Sequence, residues 1–183
     1  MQGGKMIYLP KRALFIHIPR TAGNSITNAI ASSCAGNNYD ILVSNTPREL
    51  TIDWSHILNT HVIAQKIQPH IIDWDNIFKF AIFRNQEERL ESIKRLVERD
   101  ISQKTYEHPS CNEKWREILL KEEVRERFYE HEKAHDLNYY TKGPNGEDLG
   151  VEVFDYKNLN EVWPEICDKC QIPKSNLPHL NAG

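Results

Sequence analysis

The chain has 183 residues, with 23 Lys plus Arg against 26 Asp plus Glu, a formal net charge of −3. That length suits one domain, residues 1–183, with room for a core and a ligand cleft; so balanced a charge excludes a general nucleic-acid binder, and any anion site has to be built locally. Mean hydropathy is −0.62, no apolar run approaches the roughly 20 residues of a membrane-spanning helix, and the segment up to Lys11 lacks the layout of a secretory signal, so a cytoplasmic protein with no membrane span is expected.

In chain order, the first strong apolar run is Ala13–Ile18, bounded by Pro19, and it reads as a buried strand. Gly23 opens a helix with Ile26, Ala29 and Ile30 at helical spacing, ending near Gly36-Asn37-Asn38. Ile41–Val43 is a short second strand, Thr46–Glu49 a helix entry with Pro47 at its first position, Ile57–His61 a short apolar stretch and Val62–Ile67 a helical turn or two. Ile77–Phe83 is the second strong strand. Arg84–Asp100 follows as a charged helix with Leu90, Ile93 and Val97 on one face and a pairing of Glu91 with Arg95 across one turn. Cys111–His135 reads as a second charged helical stretch with Trp115, Ile118, Leu119 and Phe128 as core contacts. Asn145-Gly146 favours a tight turn, Val151–Phe154 alternates like a strand, and Asn158–Cys170 is helical, with Pro164 placing its start near Trp163. Strands alternating with helices predict an α/β layered domain with a mostly parallel sheet.

The cysteines are Cys34, Cys111, Cys167 and Cys170. Cys167-x2-Cys170 has zinc-knuckle spacing but no second pair to complete a ligand set, so the two are expected one turn apart on a helix, and no metal is expected.

His17-Ile-Pro-Arg-Thr-Ala-Gly-Asn-Ser-Ile26 is a strand end, a short loop and a helix start, the place where backbone N–H groups and the helix dipole attract an anion. Gly23 allows close approach, Arg20 adds fixed charge, and Thr21, Asn24 and Ser25 carry side-chain donors. An ordinary strand-to-helix turn capped by Thr21 reads equally well. The segment lacks the second glycine and the Lys-Ser/Thr pair of a Walker A loop, which argues against a P-loop kinase. Arg84 directly follows a buried strand, at the edge where open α/β sheets bind ligands, and Ser92 lies on the helix after it; together they suit a second phosphate.

These segments resemble the sulfotransferase superfamily, in its carbohydrate-sulfotransferase branch and bacterial relatives. Residues 17–26 resemble the family's 5′-phosphosulfate loop (HIPKTAGTS), and Phe78-Lys-Phe-Ala-Ile-Phe-Arg-Asn-Gln-Glu-Glu-Arg-Leu-Glu-Ser92 its 3′-phosphate segment (FKFAFVRNPxxRLVS). Thr60–Ile67 resembles a short segment whose His is a candidate base, and Asn158-Leu159 with Leu177-Pro-His-Leu-Asn181 resemble its ENL and LPHLN elements. The resemblance implies a three-layer, P-loop-like domain. It implies 3′-phosphoadenosine 5′-phosphosulfate (PAPS) as co-substrate, no metal, and transfer of its sulfuryl group to a hydroxyl or amine of an acceptor, a carbohydrate being one candidate. Arg20 would neutralise the departing 5′-phosphate, and the loop Thr21, Ala22, Gly23, Asn24, Ser25 and Ile26 would cradle the phosphosulfate. Arg84 and Ser92 would hold the 3′-phosphate. His61 would be the general base, a role suited to a neutral imidazole, with His56, His17 and His179 as rivals; His17 reads more simply as a core histidine. Lys104, Tyr106, His108, Tyr139, Tyr140 and Lys142 are candidate acceptor contacts. Arg20 stands where Lys is usual, Gln86 where Pro is usual, and Asp155 and Lys157 where Arg and Glu are usual. The chain ends at Gly183, soon after its LPHLN element. These positions sustain an alternative, a catalytically inactive domain of this fold that retains nucleotide binding.

Overall fold

The computed structural model describes residues 7–34, 42–43, 63–102 and 117–178. Among these residues five strands form one sheet in the order β3-β1-β2-β4-β5: β1 (Ile7–Leu9), β2 (Ala13–Ile16), β3 (Leu42–Val43), β4 (Phe78–Phe83) and β5 (Val151–Asp155). β2, β4 and β5 run parallel, with Phe15 beside Phe80 and Phe80 beside Glu152. β1 pairs antiparallel with β2 and with β3, extending the parallel core by two short strands.

Alternation along the strands divides the apolar residues between two faces. On one face Phe15, Phe80, Ile82 and Phe154 meet α1 (Gly23–Cys34) through Ile26, Ala29 and Ile30, and α6 (Leu159–Cys170) through Leu159, Trp163 and Ile166. On the other, Leu14, Ile16 and Ala81 meet α2 (Ala64–Ile67) and Tyr140 of α5 (Leu137–Thr141). Helices thus cover both faces of the sheet, as an α/β layered domain requires. α3 (Gln86–Ser102) follows β4 and α4 (Glu122–Ala134) precedes α5. Among the described residues no helix is long and apolar enough to cross a membrane.

Several expectations need correction. α6 begins at Leu159, not near Trp163, and carries Pro164 inside it. Proline removes one intrahelical hydrogen bond; burial of Leu159, Trp163 and Ile166, and the bond from Trp163 Nε1 to the Ser175 carbonyl at 2.8 Å, hold the turn together regardless. The second charged stretch is broken before Glu122, and Ile118 is exposed while Leu119 is fully buried. Glu91 pairs with Lys94 at 3.2 Å rather than with Arg95. The Asn145-Gly146 turn forms as expected, with Gly146 at φ +84° and Gly143 N–H bonded to the Glu147 carbonyl at 2.9 Å. Cys167 and Cys170 lie one turn apart on α6, both buried and free. The expected elements at Thr46–Glu49 and Ile57–His61, and Trp115, fall outside the described residues.

Candidate anion-binding site

β2 ends at Ile16, and the chain then turns through a tight, strained loop into α1. Arg20 and Ala22 both adopt positive φ, +65° and +67°, a region that costs a non-glycine residue of order 1–3 kcal/mol and that clusters at ligand clamps. Positive φ at Arg20 and Ala22, with Thr21 between them outside that region, is the alternation that gathers consecutive N–H groups into an anion-binding concavity. Ile26 N–H already bonds the Ala22 carbonyl at 3.1 Å. The helix start therefore leaves the N–H groups of Gly23, Asn24 and Ser25 without intrahelical acceptors, at the positive end of the helix dipole.

Glycine at position 23 has a steric cause. A Cβ there would lie 1.8 Å from His17 Nε2, because the buried imidazole, stacked on Phe15 with ring centroids 5.8 Å apart, fills that space. His17 is thus a packed residue that supports the loop from beneath. Thr21 is fully buried and its hydroxyl donates to the Ile18 carbonyl at 2.8 Å. That hydroxyl proton is committed to pinning the loop, so Thr21 offers a ligand only its backbone.

The two segments that the sequence singled out meet here. Arg20 Nε donates to Ser92 Oγ at 3.1 Å across 72 residues of chain. Ser92 is buried on the face of α3 that also carries Arg89, Ile93, Val97 and Asp100. Arg84 leaves the carboxyl end of β4, with its guanidinium 4.9 Å from the Tyr156 ring centroid and Nε 3.7 Å from Glu88. Glu88 is drawn the other way by Lys157 Nζ at 3.0 Å. Asn85 caps α3, its Oδ1 accepting from Glu87 N–H at 2.9 Å, which sets the turn into the helix with no proline at Gln86.

Burial and the guanidiniums of Arg99, Arg84 and Arg95 push the pKa of Arg20 below the usual arginine value, with Asp100 opposing. Several cations thus repel one another around a half-buried arginine at the carboxyl edge of a parallel sheet, where a bound anion would relieve the repulsion.

Sequence reasoning missed Tyr156, Arg95 and Arg99. Tyr156 follows β5 directly, so the rule that selected Arg84 after β4 also reaches it. His61, His56 and His179 lie outside the described residues, as do Lys104, Tyr106 and His108. Of the remaining acceptor candidates, Tyr140 is buried in the core, Tyr139 is half-exposed, and Lys142 pairs with Asp148 at 3.3 Å. No family model, no curated protein and no solved structure matches this chain.

Proposed function

We propose that the protein is a sulfotransferase that moves the sulfuryl group of PAPS to a hydroxyl or amine acceptor, on a P-loop-like α/β domain. The observation that carries this reading is the Arg20–Ser92 contact. It joins the segment resembling a 5′-phosphosulfate loop to the segment resembling a 3′-phosphate site, at one edge of the sheet and amid mutually repelling arginines. PAPS carries anionic groups at both of these positions. In this scheme the helix start at Gly23–Ser25 and Arg20 hold the 5′-phosphosulfate, while Arg84 and Ser92 hold the 3′-phosphate. Tyr156, against Arg84, adds an aromatic face at the rim.

The acceptor oxygen attacks sulfur in line, the bond from sulfur to the 5′-phosphate oxygen breaks, and 3′-phosphoadenosine 5′-phosphate leaves with its charge met by Arg20. The acceptor proton passes to a base, for which His61 is the candidate that the resemblance supplies.

One observation favours the non-catalytic alternative. Asp155 stands where the family pattern has Arg, and its Oδ1 is spent on the Lys157 N–H at 2.8 Å, so this position shapes a turn and supplies no cation. Sulfur-35 PAPS separates the readings. A sulfotransferase passes label to members of a hydroxyl and amine acceptor panel and loses that activity in Arg20→Ala. A protein that binds 3′-phosphoadenosine 5′-phosphate yet transfers no label to any acceptor is the non-catalytic domain, and one that binds neither nucleotide overturns both.

A further inference from the structure

The carboxyl end of α4 carries a second cluster, built from residues that the anion site does not use. Helical spacing places His131 and His135 on one face, with ring centroids 3.9 Å apart in an edge-on approach. Glu132 joins them: one ligand atom from each of the three residues lies within 4.8 Å of the others. We propose that His131, Glu132 and His135 form a binding site for a divalent transition-metal ion of the zinc class, with solvent completing the coordination.

Two of the ligands are already held in place. Glu132 is buried, and its Oε2 accepts from Arg89 Nη1 at 3.0 Å. Its other oxygen, Oε1, faces His131 Nδ1 at 3.7 Å. Arg89 is itself almost wholly buried, and it also donates to the backbone carbonyls of Glu132 and of His135, the latter at 3.0 Å. The His135 ring lies against Tyr139, centroids 3.8 Å apart and planes 24° from parallel, which fixes its orientation. An outer partner that orients a carboxylate ligand in this way is the usual support of a metal site. The remaining ligand, His131, is 63% exposed and free to turn toward the others.

The donor set decides the class of ion. Two imidazoles and one carboxylate suit zinc, nickel or copper, and suit magnesium or calcium poorly. Zinc takes imidazole nitrogen and carboxylate oxygen at about 2.0–2.2 Å, so a modest rotation of the exposed His131 closes the present spacing. The Arg89–Glu132 ion pair accounts for the burial of Glu132, but it requires neither imidazole, and two imidazoles held this close to one carboxylate present their nitrogens to a shared cation. Arg89 and Ser92 both lie on the buried face of α3, so the ligand Glu132 is also one half of the ion pair that joins α4 to the helix that carries Ser92. The site does not depend on the sulfotransferase reading.

The test uses the full chain, stripped with chelator and titrated with zinc chloride by calorimetry, and with cobalt chloride by absorption. One zinc ion should bind per chain. The variant His131→Ala/His135→Ala should lose at least about tenfold in affinity, the single His131→Ala, at an exposed position, should lose affinity without loss of helical circular dichroism, and His70→Ala should bind as the parent does. Cobalt should give weak visible bands without thiolate charge transfer. Failure to bind zinc, undiminished binding by the double variant, or a cobalt spectrum dominated by thiolate charge transfer would each overturn the assignment.

Discussion

Residue 23 has no room for a methyl group, because His17 occupies its place at 1.8 Å. Gly23→Ala must displace a buried imidazole, and such overpacking costs about 1–3 kcal/mol; urea unfolding should show that loss, and an unchanged midpoint would contradict the packing. The sequence marked Gly23 for a different reason, the approach of a ligand, since the position of a histidine beneath a loop is set by tertiary packing. Ser92→Ala removes the acceptor from Arg20 Nε. Loss of one partner of a part-buried charged hydrogen bond should cost about 1–3 kcal/mol, and nucleotide binding should weaken with it. Cys170 offers a pH test. Burial, with Cys167 and Cys34 close by, pushes its thiol from the ordinary 9.0 up to about 12. The native state therefore keeps a proton that the unfolded chain releases, and the stability tied to this group is complete below about 9.0 and declines as pH rises toward about 12. Unfolding free energy should fall with pH above 9 in the parent more steeply than in Cys170→Ala; equal slopes would remove the thiol from the account.

Elements differ in how openly the sequence announces them. β2 and β4 are short, mostly apolar runs closed by Pro19 and Arg84, Lys79 being the one charge inside β4, and buried strands of that kind are legible because they are shorter than a helix. β1, with only Ile7–Leu9, is too short to carry a pattern and exists by pairing with β2 and β3. Pro164 pointed to a later start for α6, but local propensity yielded to the burial of Leu159 and Trp163. α3 hid its most consequential residue. Arg89 looks like one more charge on a charged helix, yet it is 2% exposed, because Glu132, 43 positions along the chain, supplies its acceptors. Arg89→Ala would leave the Glu132 carboxylate buried without its cation. Breaking a buried pair in this way costs about 3–5 kcal/mol, whereas exposed Glu91→Ala should stay within about 0.5 kcal/mol. Parallel urea titrations compare the two, and similar small losses would show that the α3–α4 junction does not depend on this pair.

At the scale of the molecule, parallel β2, β4 and β5 bring three chain segments to one edge: the loop of Arg20, the start of α3 at Arg84, and Tyr156. The first two were legible because strand-to-helix junctions and residues just beyond buried strands are where α/β sheets bind ligands. That they would touch, Arg20 on Ser92, was not, since strand order and helix rotation are properties of the assembled sheet. The charge balance of the whole chain, −3, conceals the arginines gathered around Arg20, and it is this local grouping that the proposed anion site draws on.

In the proposed function this edge recognises a nucleotide by two separate anionic positions, the second being the 3′-phosphate. Thermal unfolding with matched concentrations of 3′-phosphoadenosine 5′-phosphate and of ADP tests it most directly, because a ligand bound only by the folded state raises the midpoint according to its affinity. A clearly larger rise is expected with 3′-phosphoadenosine 5′-phosphate, and loss of that preference in Arg84→Ala. Equal stabilisation by the two nucleotides, or a preference that survives Arg84→Ala, would contradict it.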